Sequence, residues 1–179
     1  LSEFTSTFEL FTSVVEQEAL QWSSPNNVLQ DFLDASTWDQ NGGMLLSSPK
    51  IPIPGGTPVI NAITINDLQI QIRWARGGNA GSGGGVFLRH FDIGGGEAVG
   101  QFTSVTELEP FHTDQIGGDL TFWNVTQNQM KDFINGTNPF VFNIDTSGIN
   151  GATQTRVAWI KASIQYTYTG SGIGFPRLF

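Results

Sequence analysis

The sequence predicts an all-β fold, an antiparallel β-sandwich of jelly-roll type with one short helix and extended arms at both ends. Three observations carry that expectation. Apolar residues recur with a period of two, clearest at Leu68, Ile70, Ile72 and Trp74 and again at Ile160, Ala162, Ile164, Tyr166 and Tyr168. Turn signals rich in Gly, Pro and Asn separate such runs. Strands do not alternate with helical patterns, which argues against a parallel α/β sheet. At 179 residues the chain suits one domain rather than two. The expected organisation is a strand or arm over residues 1–20, a sandwich over 21–169 and a tail over 170–179.

Each element follows from a local pattern. Residues Thr5 to Val15 alternate, with Phe8 and Leu10 on one parity and Thr7, Glu9 and Phe11 on the other, which reads as a strand or extended arm. From Gln21 to Asp39 the chain is polar, and irregular loop with one short strand or turn is expected. Ile51-Pro52-Ile53-Pro54-Gly55-Gly56-Thr57-Pro58 forbids regular helix, because each Pro removes a donor and restricts the residue before it. Leu68 to Trp74 then forms a half-buried strand with Gln69, Gln71 and Arg73 on its other face. Ile63 and Ile65 have the opposite parity, so a bulge at Asn66-Asp67 is needed to bring both groups to one side.

The run Gly77 to Gly85 reads as a hairpin loop leading into a strand at Val86 to Phe91. Further strands are expected near Ala98 to Leu108 and Asp119 to Val125. Gln127 to Ile134 carries a helical pattern of about two turns, with Asn124 or Thr126 as its cap. Phe140, Phe142 and Ile144 alternate with Val141, Asn143 and Asp145, and the strand ending at Tyr168 closes the domain.

Composition excludes several function classes. A formal charge of -8 with only eight Lys and Arg, scattered along the chain, argues against a nucleic-acid partner. The absence of Cys removes disulfides, thiolate zinc sites and a Cys nucleophile. No membrane partner is expected, since no apolar run reaches spanning length. Leu1 to Thr7 lacks a basic-then-apolar signal pattern, and the missing initiator Met suggests a processed or trimmed chain. Charged residues make up 13%, so the surface must be covered by Ser, Thr, Asn, Gln and Gly, as in many secreted and virion proteins.

The motifs that could carry chemistry are weak. The Gly-rich run has no Lys nearby and is not followed by Gly-Lys-Ser/Thr, so a phosphate-binding loop is rejected for a hairpin tip. Of the two histidines, His90 lies among Phe87, Leu88 and Phe91 in a strand, and no Gly-x-Ser-x-Gly elbow marks a nucleophile to go with it or with His112. Glu97, Glu107, Glu109, Asp114 and Asp119 could supply paired carboxylates, but any acidic chain offers such candidates and a solvated surface is the preferred reading.

Asn143-x-Asp145-x-Ser147-Gly148 resembles the opening of a calcium loop, yet Gln154 stands where the bidentate Glu belongs. The chain is therefore expected to be non-enzymatic, with no catalytic residue, no cofactor and no metal. Of the five Trp residues, Trp74 is in phase with the core. Trp159 is out of phase with Ile160 and Ile164, making it the candidate exposed or interface aromatic. Trp22, Trp38 and Trp123 stay ambiguous, with interface burial favoured over sugar stacking. Asn124-Val125-Thr126 and Asn135-Gly136-Thr137 match the glycosylation pattern.

The layout also resembles a β-sandwich domain of tailed-phage virion proteins and some bacterial surface proteins. Trp22-Ser23-Ser24-Pro25-Asn26-Asn27 opens the match, and Ile51-Pro52-Ile53-Pro54-Gly55-Gly56 precedes an Ile-rich strand. Gly117-Gly118-Asp119-Leu120-Thr121-Phe122-Trp123 leads to the helical turn, and Pro139-Phe140-Val141-Phe142-Asn143-Ile144 leads to the closing strand.

The resemblance runs from Trp22 to Thr169 and supplies no catalytic residues. It implies a virion structural protein: a capsid decoration or cement protein, or a tail or fibre component. The expected partners are further copies of the chain, as a homotrimer, and the major capsid protein or other virion proteins. The tail ends in Phe175-Pro176-Arg177-Leu178-Phe179, glycine-rich at its base and apolar at its tip. Phe175, Leu178 and Phe179 are therefore candidate interface residues beside Trp159, with packing back on the chain's own sandwich as the other outcome. The alternative function is a carbohydrate-binding or adhesin module, located outside the cell or at a cell surface.

Overall fold

The computed structural model describes residues 2–16, 25–30, 37–39, 43–49, 61–76, 85–91, 98–103, 111–135, 141–145 and 155–168. These form strands β1 (Ser2–Thr5), β2 (Glu9–Glu16), β3 (Thr37–Asp39), β4 (Gly43–Pro49), β5 (Ile63–Arg76), β6 (Gly85–Phe91) and β7 (Ala98–Thr103). Then follow β8 (His112–Gly118), β9 (Val141–Asp145) and β10 (Thr155–Tyr168). A 3-10 turn spans Pro25–Leu29, and two helices, α1 (Leu120–Trp123) and α2 (Gln127–Asn135), precede β9.

The all-β, antiparallel class expected from the alternation is the one that forms. Hydrogen bonds run through the strands in the order β7-β6-β9-β4-β2-β10-β5-β8. Strand β2 serves both halves of that path, pairing with β4 through Phe11 to Glu16 and with β10 through Glu9 and Leu10. The other edge of β10 is given to β5 along nearly its whole length. The edge that meets β2 is shared with β1 at Gln165–Tyr168 and with β3 at Thr155–Val157. The N-terminal segment thus takes the strand option, and Phe4 stacks on Tyr166 with ring centroids 5.6 Å apart.

The β5/β10 pair sets the two faces of the fold. Gln165 stands opposite Asp67 and Tyr166 opposite Ile65, leaving Asn66 as the extra residue. This is the bulge that the parity change demanded, and it puts Ile63 and Ile65 on the same side as Leu68, Ile70, Ile72 and Trp74. A second irregularity, which the sequence pattern concealed, sits at Ala158: Val157 faces Trp74 while Trp159 faces Arg73. On the inner side these residues join Val157, Ile160, Ala162, Ile164 and Tyr166 in one core. Phe11, Val28, Trp123, Met130 and Ile134 close over it from β2, the 3-10 turn and both helices. Each fully buried Ile or Leu contributes about 1.5–3 kcal/mol.

Four expectations are corrected. Asp119 to Val125 does not extend as a strand. The Asp119 carboxylate accepts the Phe122 N–H at 2.8 Å, starting α1, and Trp123 is drawn into the core, where its indole N–H donates to the Leu68 carbonyl at 3.0 Å. Two helices therefore form where one was expected. Asn124, at φ 53°, ends α1 in the left-handed region, and Thr126 alone caps α2. Its hydroxyl accepts from Gln129 N–H while the Gln129 side chain accepts from Thr126 N–H, a reciprocal capping box.

Strand β8 was missed, because of its core-facing positions only Ile116 is a large apolar residue. The hairpin expected from the Gly-rich run also fails. Both edges of β5 are taken, by β8 and β10, while β6 pairs with β7 and β9. The run itself, residues 77–84, lies outside the described residues, as does Ile51 to Pro58.

Candidate functional site

The second face of β5, turned away from the core, is where polar chemistry gathers. Alternation places Gln69, Gln71 and Arg73 there. Register brings Gly117, Gln115 and Thr113 of β8 opposite them on one side, and Ser163, Lys161 and Trp159 of β10 on the other. Three strands thus present one surface of amides, hydroxyls, two cations and an indole.

The amides bond in sequence. Gln71 donates to Gln115 at 3.1 Å, Gln115 donates to Gln69 at 3.1 Å, and Gln69 donates to the Asp67 carboxylate at 2.6 Å. Each member passes a hydrogen towards a fixed negative charge, so the chain is polarised along its length and its members hold one another in place. Every amide still has donor or acceptor capacity left over. Gln115 and Thr113 are exposed, which opens this part of the face to solvent. At the opposite corner the face is closed: Ser163 is buried and donates to the Ser6 carbonyl at 2.7 Å, while Ser6 exchanges two further bonds with the Ile164 backbone.

The cationic end is built differently. Arg73 lies with its guanidinium carbon 5.9 Å from the Phe111 ring centroid and reaches Thr113 Oγ1 at 3.5 Å. Lys161 Nζ sits 4.4 Å from the Trp159 ring centroid. Two donors here have no partner: Arg73 Nε and Trp159 Nε1 are both buried and unbonded. Each such orphan costs about 1–3 kcal/mol.

The residues singled out from sequence fare unevenly. Trp159 is on the predicted face but is not exposed: its own fold and Lys161 cover it to 8% exposure. Phe175, Leu178 and Phe179 lie outside the described residues, as do Trp22, Glu97, Glu107, Glu109, Ser147, Gly148 and Gln154. His90, His112, Trp38, Asn143 and Asp145 are described in backbone only, in β6, β8, β3 and β9. Trp74 and Trp123 are both core residues. Of the carboxylates, Asp114 accepts the Trp74 indole N–H at 2.6 Å on the inner face, and Asp119 caps α1. Among the described residues no group of three or more His, Asp or Glu is placed to hold a metal, and no helix is long and apolar enough to cross a membrane.

Gln69, Gln71, Arg73 and Gln115 carry the site, yet the sequence presented the first three only as the polar half of an alternation. The available signal was the repetition of one neutral amide at consecutive outward positions, where charges would serve solubility better.

No family model matches the chain, and no curated protein matches it. The phage resemblance therefore rests on its motifs alone. Among solved structures the chain is similar to a truncated AlyQ with CBM32 and alginate lyase domains. The TM-score is 0.47 at 9% identity, over 97% of this chain and 36% of the other.

Proposed function

We propose that this chain is a non-enzymatic recognition module whose outer β8-β5-β10 face binds a hydroxyl-rich saccharide. The observation that carries the reading is the amide chain Gln71–Gln115–Gln69, anchored on Asp67. A sugar hydroxyl both gives and accepts a hydrogen bond, and a side-chain amide is its matching partner. Amides already locked by one another lose little freedom on binding, which lowers the cost of association. Among the described residues the face holds no base beside a nucleophile.

The same face suits a tail or fibre domain that must meet a cell-surface polysaccharide, so the virion setting fits this reading as well as a bacterial surface does. The cement reading draws less support. Stabilising a shell by apolar burial needs a continuous apolar patch of several hundred Å². Among the described residues Phe122, at 39% exposure, is the single exposed large hydrophobic.

The test is binding of the full chain to a polysaccharide panel, followed by titration of the best oligosaccharide against the Gln71→Ala, Gln115→Ala double variant. Two lost hydrogen bonds at about 0.5–1.5 kcal/mol each predict a loss of affinity of roughly 5- to 150-fold. Light scattering on the full chain and on a chain ending at Thr169 runs beside it. No saccharide binding, together with an oligomer that falls apart without the tail, would return the assignment to an assembly protein.

A further inference from the structure

We infer that the cationic end of this face is a carboxylate-recognition point, so that the saccharide it takes is an acidic one; this rests on the saccharide reading above. Arg73 and Trp159 are direct partners across the β5/β10 register and share the outer face. Each carries a buried N–H without an acceptor, Arg73 Nε and Trp159 Nε1. Cross-strand partners place their Cβ atoms about 5 Å apart, so one small group can serve both donors. Donors require an acceptor, and here the acceptor is anionic: the guanidinium supplies one positive charge and Lys161, 4.4 Å above the indole, supplies another.

Lys161 is partly exposed, and its ammonium stands over the indole on the same face as the two donors. The guanidinium lies beside the Phe111 ring. Two N–H donors at one point match the two oxygens of a carboxylate. Polarity along β5 reinforces the assignment. Six residues separate Arg73 from Asp67, about 20 Å of strand, with the cation at one end and the carboxylate anchor at the other. A ligand with its acid group at the Arg73 end and neutral hydroxyls along the amides is complementary over the full length, and the reverse orientation is not.

The experiment compares a neutral oligosaccharide ending in one uronate with the methyl ester of the same oligomer, against the full-length chain, by calorimetry. The acidic oligomer should bind at least tenfold more tightly, and Trp159→Phe and Arg73→Gln should each erase most of that difference. The Trp159 indole N–H resonance, identified by its loss in Trp159→Phe, should shift downfield on binding. In Trp159→Phe the loss of an orphan donor offsets the lost ring volume, so its melting temperature should stay within a few degrees of the parent chain, separating a binding defect from a folding one.

Equal affinity for the two oligomers overturns the carboxylate point and leaves the saccharide face standing. A sulfated oligomer binding more tightly than the uronate also overturns it. If neither oligomer binds, the saccharide reading fails, and titration with acetate decides the carboxylate point alone. A saturating shift of the Trp159 indole supports it, and a static resonance overturns it.

Discussion

Deleting Asn66, inside β5, is expected to be nearly harmless, while deleting Gln71 five residues away is expected to unfold the protein. The contrast follows from the register. With Gln165 opposite Asp67 and Tyr166 opposite Ile65, Asn66 is unpaired. Its loss closes a regular ladder in which Ile63, Ile65 and Leu68 keep the core side. The contact forfeited is an exposed 3.3 Å bond from Asn66 to Glu3, worth at most about 1 kcal/mol.

Gln71 sits where pairing is continuous, opposite Lys161 and Gln115. Removing it forces a one-residue slip on one side or the other. A slip towards the N-terminus turns Leu68 and Ile70 outward; a slip towards the C-terminus turns out Ile72 and Trp74. Either exposes two fully buried side chains, about 3–6 kcal/mol in transfer terms, before the polar residues that replace them are counted. Against a typical stability of about 5–15 kcal/mol this removes most of the fold. Urea unfolding followed by tryptophan fluorescence distinguishes the two. If deletion of Asn66 lowers the midpoint as far as deletion of Gln71, the assignment of faces, and with it the outer site, is wrong.

Four further outcomes follow from single contacts. Thr126→Ala breaks the capping box of α2 and should lower stability by about 1 kcal/mol in urea, with Thr126→Ser restoring it. Gly117→Ala would drive a Cβ into the Leu68 carbonyl and the Gln69 backbone, and should destabilise by about 1–3 kcal/mol in the same assay. Trp123→Phe leaves the Leu68 carbonyl without its indole donor, and a loss of about 1–3 kcal/mol is expected. Burial raises the Tyr166 phenol above its usual pKa of 10.0. Because the folded state holds that proton more tightly, this contribution is complete below about pH 10 and is lost as pH climbs through the folded value. Stability measured between pH 9 and 12 should fall, and Tyr166→Phe should flatten that fall.

How legible these features were depended on how each is encoded. The long strands were plain because their core residues are large and apolar at every second position, and the Asn66 bulge was visible as a change of parity between Ile65 and Leu68. The Ala158 irregularity was hidden, since Val157 to Ile160 is apolar throughout apart from its indole nitrogen, and such a run has no parity to break. Strand β8 was lost for the opposite reason: two of its seven residues are glycines required by close approach, and Asp114 occupies a core-side position by bonding to Trp74. The mistaken strand at Asp119 to Val125 shows tertiary contact overriding local pattern, because a cap at Asp119 and an anchor at Trp123 are enough to wind one turn. The site was least legible of all. Its members come from β5, β8 and β10, and only pairing sets Gln115 beside Gln71.

On the reading proposed above, the outer face is selected for recognition and is not a neutral by-product of solubility. A solvent-facing sheet needs only scattered charges to stay in solution, and long charged side chains would supply them without mutual order. Here three amides are spent on one another, so that their hydrogens point in a single direction towards Asp67. At the other end, Trp159 and Arg73 keep two donors unsatisfied at a joint cost of about 2–6 kcal/mol. A Phe at position 159 would keep an aromatic ring beneath Lys161 without its share of that cost. An arrangement that is expensive in the free protein, and that one incoming acceptor would relieve, is what differential stabilisation of a bound state requires. On the proposed reading, the unsatisfied donors and the ordered amides lie side by side on one face, and a single elongated acidic ligand accounts for both.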